Sequence, residues 1–235
     1  MTWNWQASAP PDAGARDVIR VRAFTGGGFA ENGYLAVCSE SGAAVVVDPG
    51  ASSPRMVDAV RAEGMDLQAV LLTHAHLDHI EGVHHVRAAF PDVPIWLHPL
   101  DLGMYRALPQ QAAAFGLSAH PQPDPDHELV PGEPFTFGAC RFDVRFAPGH
   151  APGHVIFVSE AAGLALVGDV VFQGSIGRTD LPGGDFYTLM RSIREQVLTL
   201  PDDTVLHPGH GPATTVGDER RGNPFLIAHY GGEMA

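Results

Sequence analysis

At 235 residues, with 45% hydrophobic and 17% charged content, the chain has the make-up of a globular α/β protein and not of a disordered one. Its 14 cationic side chains are all arginine, against 27 acids for a net charge of −13, which argues against general binding to nucleic acid or anionic membrane through a diffuse basic surface. No apolar run approaches the ~18–20 residues that cross a bilayer, and Met1–Arg16 lacks the basic-then-apolar order of a secretion signal, so a cytoplasmic location is expected.

Residues 1–17 read as a loose polar arm with Pro10-Pro11 and Gly14, and 18–235 as one folded domain. A first strand is expected over Val18–Phe24, where apolar and basic residues alternate from Ile19, before Gly26-Gly27-Gly28 breaks the chain. Tyr34–Cys38 and Ala43–Val47 form a hairpin about Ser39–Gly42. Asp48-Pro49-Gly50 ends it, and a helix over Pro54–Glu63 carries Met56, Val57 and Val60 on one face and stops at Gly64. Ala69–Leu72 is short and wholly apolar, as in a sheet covered on both faces. A helix around Ile80–Ala89 and a strand at Ile95–Leu97 follow.

Residues 99–132 are the least regular: a short helical stretch, Asp101–Leu108, runs into Pro121–Asp126, whose prolines oppose regular structure. This irregular part reads as a surface excursion over the site. Strands resume at Phe135–Phe137, Arg141–Phe146, Val155–Ser159 and Leu164–Val167, followed by a helix over Phe186–Leu198 and a strand at Val205–Leu206. With no repeat and no linker, this order suits a four-layer αββα sandwich, two sheets face to face with helices outside. Cys38 and Cys140 have no C-x-x-C spacing and are expected as buried thiols, not as a disulfide.

The chemistry concentrates after the apolar strand, in Thr73-His74-Ala75-His76-Leu77-Asp78-His79. His74 and His76, two apart, project to one side of an extended segment, while Asp78 and His79 face elsewhere in the turn that follows. One loop thus carries ligands that could serve two neighbouring metal ions. Three more strand ends offer ligands beside glycine: His150 and His154 in Pro148–His154, Asp169 after Leu166-Val167-Gly168, and His210 in His207-Pro208-Gly209-His210-Gly211. Burying so many imidazoles and carboxylates without a cation would be costly, so a metal site is expected. His84, His85, His98, His120, His127 and His229 lack such context and read as surface or structural, and His210 is preferred over its neighbour His207 as a ligand.

H-x-H-x-D-H with a later His, Asp and His resembles the hallmark of the metallo-β-lactamase superfamily, over about Val18 to His210. The resemblance implies that His74, His76 and His150 bind one metal, that Asp78, His79 and His210 bind the other, and that Asp169 bridges them. It also implies that Asp48 steadies the ligands through hydrogen bonds and that His154 is a non-ligand histidine beside the site. Gly168–Asp180 and the tail Arg220–Phe225 are similar to the single-domain branch of the glyoxalase II group, the hydroxyacylglutathione hydrolases. Longer members bind glutathione partly through a C-terminal helical domain; only 25 residues follow His210, so that domain is not expected here.

The implied reaction is cleavage of S-D-lactoylglutathione to D-lactate and glutathione by hydroxide generated at two divalent ions, zinc first and iron or manganese as alternatives. Asp78 orients the hydroxide as well as binding metal, and Arg178 offers a fork of donors to a glutathione carboxylate. A mononuclear iron persulfide dioxygenase of the same superfamily is the first rival; its usual G-C-G-R-T-D segment aligns with Ser175–Asp180, where Ile176 replaces the cysteine. A phosphodiesterase or lactonase on the same scaffold is the next. Neither nucleic acid nor membrane is an expected partner; the partner is a small-molecule substrate.

Overall fold

The computed structural model describes residues 19–230, and the arm expected over 1–17 lies outside them. β1 (Ile19–Gly26), β2 (Glu31–Cys38) and β3 (Ala43–Val47) form an antiparallel meander, after which α1 (Ser53–Glu63) crosses over to β4 (Asp66–Leu71), parallel to β3. α2 (Leu77–Ile80) and α3 (Val83–Ala89) lead to β5 (Ile95–Leu97); α4 (Leu102–Arg106) and α5 (Leu108–Ala114) precede β6 (His127–Glu128). These strands make one sheet in the order β1-β2-β3-β4-β5-β6.

β7 (Pro134–Phe137), β8 (Cys140–Phe146), β9 (Val155–Ser159) and β10 (Leu164–Gly168) open the second half. A small hairpin, β11 (Val171–Phe172) and β12 (Ser175–Ile176), leads to α6 (Phe186–Ser192), which continues as a π-type turn over Ile193–Val197. β13 (Val205–Pro208), β14 (Thr214–Thr215), α7 (Val216–Gly222) and α8 (Pro224–Tyr230) follow. The second sheet runs β14-β13-β10-β9-β8-β7, with β13 parallel to β10.

Strand alternation builds the layers, because successive side chains point to opposite faces. Tyr34, Ala36 and Cys38 enter the core between the sheets, whereas Leu35 and Val37 face a separate core with α1 and α3. In the other sheet Leu164 and Leu166 point between the sheets, and Ala165 and Val167 pack with Leu189, Ile193 and Val197 beneath α6. Three apolar layers separated by two sheets are the four-layer αββα sandwich. Cys38 and Cys140 are both buried, and neither forms a disulfide. Among the described residues no helix is long and apolar enough to cross a membrane.

Two expectations are corrected. The helix expected over Ile80–Ala89 is two helices broken at Glu81-Gly82. Gly82 donates its N–H to the Pro49 carbonyl at 2.8 Å, and a Cβ there would lie 2.1 Å from the Gly50 carbonyl oxygen. The chain is pressed against the Pro49-Gly50 turn and cannot coil through that point. The segment 99–132 is also more regular than expected: Gln110, Gln111 and Ala112–Ala114 are good helix formers and make up most of α5. The proline stretch beyond it is irregular but anchored. The Tyr105 hydroxyl donates to the Pro123 carbonyl at 2.7 Å, and Arg106 grips Asp124 at 3.0 and 2.9 Å.

Candidate metal centre

Asp48, His74, Asp169 and His210 all follow the C-terminal ends of parallel strands, β3 and β4 in one sheet and β10 and β13 in the other. The β8–β9 loop brings His150 to the same edge. His74, His76 and His150 present nitrogens within 4.8 Å of one another, and so do the ligand atoms of Asp78, His79 and His210. Asp169 lies between the groups: its Oδ1 is 3.4 Å from His79 Nε2, and its Oδ2 is 3.4 Å from His150 Nε2 and 3.5 Å from His210 Nε2. The seven residues expected as ligands are therefore gathered as two clusters sharing one carboxylate. A third grouping, Asp48 with His74 and His79, is also compact, but the Asp48 oxygens are spent on hydrogen bonds.

Those bonds set the tautomers. Asp48 Oδ1 accepts the Thr73 backbone N–H at 2.7 Å, and its Oδ2 accepts the Thr73 hydroxyl at 2.6 Å and His79 Nδ1–H at 3.0 Å. With its proton given to Asp48, the Thr73 hydroxyl accepts His74 Nδ1–H at 3.0 Å. His150 Nδ1–H donates to the Arg178 carbonyl at 2.7 Å and His210 Nδ1–H to the Phe29 carbonyl at 3.1 Å. Each of these four rings therefore turns its Nε2 toward the clusters. Asp48 holds its place at φ 48°, a left-handed conformation unusual for a side chain other than glycine, and the network over-determines it. His154, expected as a non-ligand neighbour, accepts the Asp169 backbone N–H at its Nε2 (3.0 Å) and stacks on His74 at 4.7 Å.

The donor set fits a pair of cations. His74 Nε2 is buried with no hydrogen-bond partner, and His79 Nε2 and Asp169 Oδ1 face each other at 3.4 Å without forming a bond. His76 Nδ1 and His150 Nε2 converge to 2.8 Å. Burial and the neighbouring His150 push His76 down to about 3, so its lone pair is free at neutral pH. In the second cluster burial alone would lower His210, but bonds to Asp169 and Asp78 hold it up at about 10. Burial likewise opposes charge on Asp169, yet His79, His210 and His150 keep it well below the usual carboxylate range. One cluster is three neutral imidazoles and the other pairs the Asp78 and Asp169 carboxylates with the His79 and His210 rings; together with the fold they support a dinuclear metal site.

Several supporting residues escape a reading of motifs. Asn32 donates its side-chain N–H groups to the Pro208 and Gly211 carbonyls at 3.1 and 2.8 Å, and the Tyr34 hydroxyl donates to Pro208 at 2.6 Å, pinning the loop that presents His210. In that loop a Cβ on Gly209 would stand 2.2 Å from Asp169 Oδ1, so only glycine fits. Asp101 ties two ligand loops together, accepting the Ala75 N–H at 3.1 Å and the Gly153 N–H at 2.5 Å. Gln111 clamps both sides of His76, donating to the Ala75 carbonyl at 2.9 Å and accepting the Leu77 N–H at 3.0 Å.

The clusters open onto a pocket of about 580 Å³, walled by Phe29, Leu77, Met104 and α5 together with Arg178, Leu181 and Pro182. The 99–132 segment thus does border the site, through α4 and α5. Arg178 reaches this wall with its guanidinium gripped by Asp180 at 2.7 and 2.8 Å, both side chains exposed.

Comparison with known proteins agrees with this geometry. The sequence profile described as the metallo-beta-lactamase superfamily matches residues 26–210. The hydroxyacylglutathione hydrolase GloC of Haemophilus influenzae is 40% identical over 84% of this chain and 93% of its own. The probable metallo-hydrolase YqgX of Bacillus subtilis is 36% identical over 83% and 92%. Among solved structures, TTHA1623 in a di-iron-bound form aligns with a TM-score of 0.80 at 41% identity, over 87% of this chain and 100% of that one. The BLEG-1 B3 metallo-beta-lactamase aligns at 0.82 and 36% identity, over 88% and 99%. The chain belongs to the metallo-β-lactamase superfamily and is one of its metallohydrolases.

Proposed function

We propose that the chain is a hydroxyacylglutathione hydrolase that cleaves S-D-lactoylglutathione with two divalent ions, zinc foremost. The observation that carries this reading is the pair of His/carboxylate clusters sharing Asp169 at the floor of one pocket; the GloC relative supports the thioester. When bound, the ions lower the pKa of water toward neutrality and polarise a carbonyl. His74, His76 and His150 would hold one, Asp78, His79 and His210 the other, with Asp169 between them.

The remaining work falls to the chain's own groups. Asp48 and Thr73 hold the His79 and His74 rings with their Nε2 atoms inward. Asp78, whose Oδ2 lies 3.2 Å from His210 Nε2 on the pocket wall, would orient the attacking water. A thiol leaving group, with a pKa of about 8.5, departs as thiolate without a strong general acid. Arg178 would take a glutathione carboxylate by exchanging it for Asp180, a pairing weak enough in solvent to be displaced. A mononuclear iron persulfide dioxygenase would leave the Asp78–His79–His210 group without a metal to hold, which favours the hydrolase.

Metal analysis of the purified protein, paired with turnover of S-D-lactoylglutathione, tests the reading. Two metals per chain with thioester cleavage is the expected result. One iron, with oxygen uptake on glutathione persulfide and no hydrolysis, would replace it with the dioxygenase; cleavage of a phosphodiester or lactone alone would move it to those classes.

A further inference from the structure

Gln110 is the polar side chain of the pocket that no other group employs. Ala107, Gln110, Gln111 and Ala114 fall at helical spacing and turn one stripe of α5 to the pocket. The alanines end at Cβ, so the two amides are what this stripe can extend toward a ligand. Gln111 is spent: it donates to the Ala75 and Met104 carbonyls and accepts the Leu77 N–H. Arg178 is gripped by Asp180, and the other polar lining residues belong to the clusters. Gln110 is exposed, and its amide has no hydrogen-bond partner among the described residues.

A primary amide offers a donor and an acceptor side by side, which is the complement of what a peptide unit presents. Glutathione carries such units on either side of its cysteine. Both lie beyond the cysteinyl Cα, away from the sulfur, whereas the lactoyl hydroxyl sits on the carbon next to the reacting carbonyl. That carbonyl must reach clusters whose His74 and His150 are buried. The hydroxyl then stays at the pocket floor, while the peptide units extend toward the mouth, where an exposed side chain can meet them.

Resting on the glutathione-thioester reading, we propose that Gln110 is a specificity-determining residue, pairing its amide with a peptide unit of the glutathione half and leaving the acyl half unread. It touches no reacting atom, so its contribution is to binding and not to the chemical step.

The test compares the metal-loaded parent with Gln110→Met on S-D-lactoylglutathione, S-acetylglutathione and the D-lactoyl thioester of 3-mercaptopropionate, which keeps a carboxylate but has no peptide bond. Methionine matches glutamine in helix propensity and lacks both atoms of the pair. Expected is a fall of about fivefold or more in the ratio of kcat/KM for either glutathione thioester to that for the mercaptopropionate thioester, the size set by losing hydrogen bonds to a neutral amide. The fall should lie in KM, with kcat within about twofold. An unchanged ratio overturns the inference, and so does a loss confined to the two lactoyl substrates, which would assign the amide to the acyl hydroxyl. A protein that carries both metals yet cleaves none of the three overturns the thioesterase reading itself.

Discussion

His207 shows what burial does to one ionisable side chain. It sits 6% exposed in β13 with its Nε2 unpartnered, edge-on to Tyr34, and burial pushes it down to about 4 from an ordinary 6.5. Between those values the unfolded chain binds a proton that the folded chain refuses, so stability falls as pH drops from 6.5 to 4, by roughly 3 kcal/mol in all. Denaturant melts at a series of pH values should show His207→Leu with a flatter acid slope than the parent, by about one proton. The expected ligands were legible because a carboxylate or an imidazole beside a strand end announces its chemistry. Asn32, Tyr34, Asp101 and Gln111 were not. Each grips the backbone of a loop 26 to 179 residues away in sequence, and nothing in an isolated Asn or Gln says which carbonyl it will meet.

Elements followed the same division. β2, β3, β9 and β10 were readable because their apolar residues fill two cores by simple alternation. The break between α2 and α3 was not, because it arises where Gly82 meets the Pro49-Gly50 turn and not from any local preference. Gly82→Ala would raise helix propensity by about 1 kcal/mol, yet its Cβ would overlap the Gly50 carbonyl, the Pro49 carbonyl and the Ser53 hydroxyl. We expect net destabilisation of at least about 2 kcal/mol by urea denaturation. The turn it displaces adjoins Asp48, so metal content should fall too. A neutral or stabilised variant would show that this turn yields easily. α5 was hidden for a different reason. Its alanines and glutamines are ordinary helix formers, but the prolines downstream, which lie beyond its end, pulled the whole segment toward an irregular reading.

At the scale of the molecule, the sheets meet at two very different ends. Far from the clusters, the β2–β3 and β7–β8 turns pack so closely that a Cβ on Gly138 would strike the Ser41 hydroxyl, and Phe137, Cys140 and Phe142 are buried beside them. At the other end His74, His76, Asp78 and His79 come from one sheet, and His150, Asp169 and His210 from the other. A metal pair there would tighten a seam that Asn32 and Tyr34 already stitch to Pro208, while the opposite margin is a permanent hinge of packed carbon. Stripping the ions should unfasten one margin only. Hydrogen exchange after chelation should quicken by about tenfold or more at Thr73–His79 and in the 149–153 and 207–211 loops, and leave Val37 and Phe142 unchanged. Uniform quickening would mean that the seam has no such polarity; the expected gradient would make this enzyme a purse whose mouth, stitched by hydrogen bonds, is drawn tight by its own catalyst.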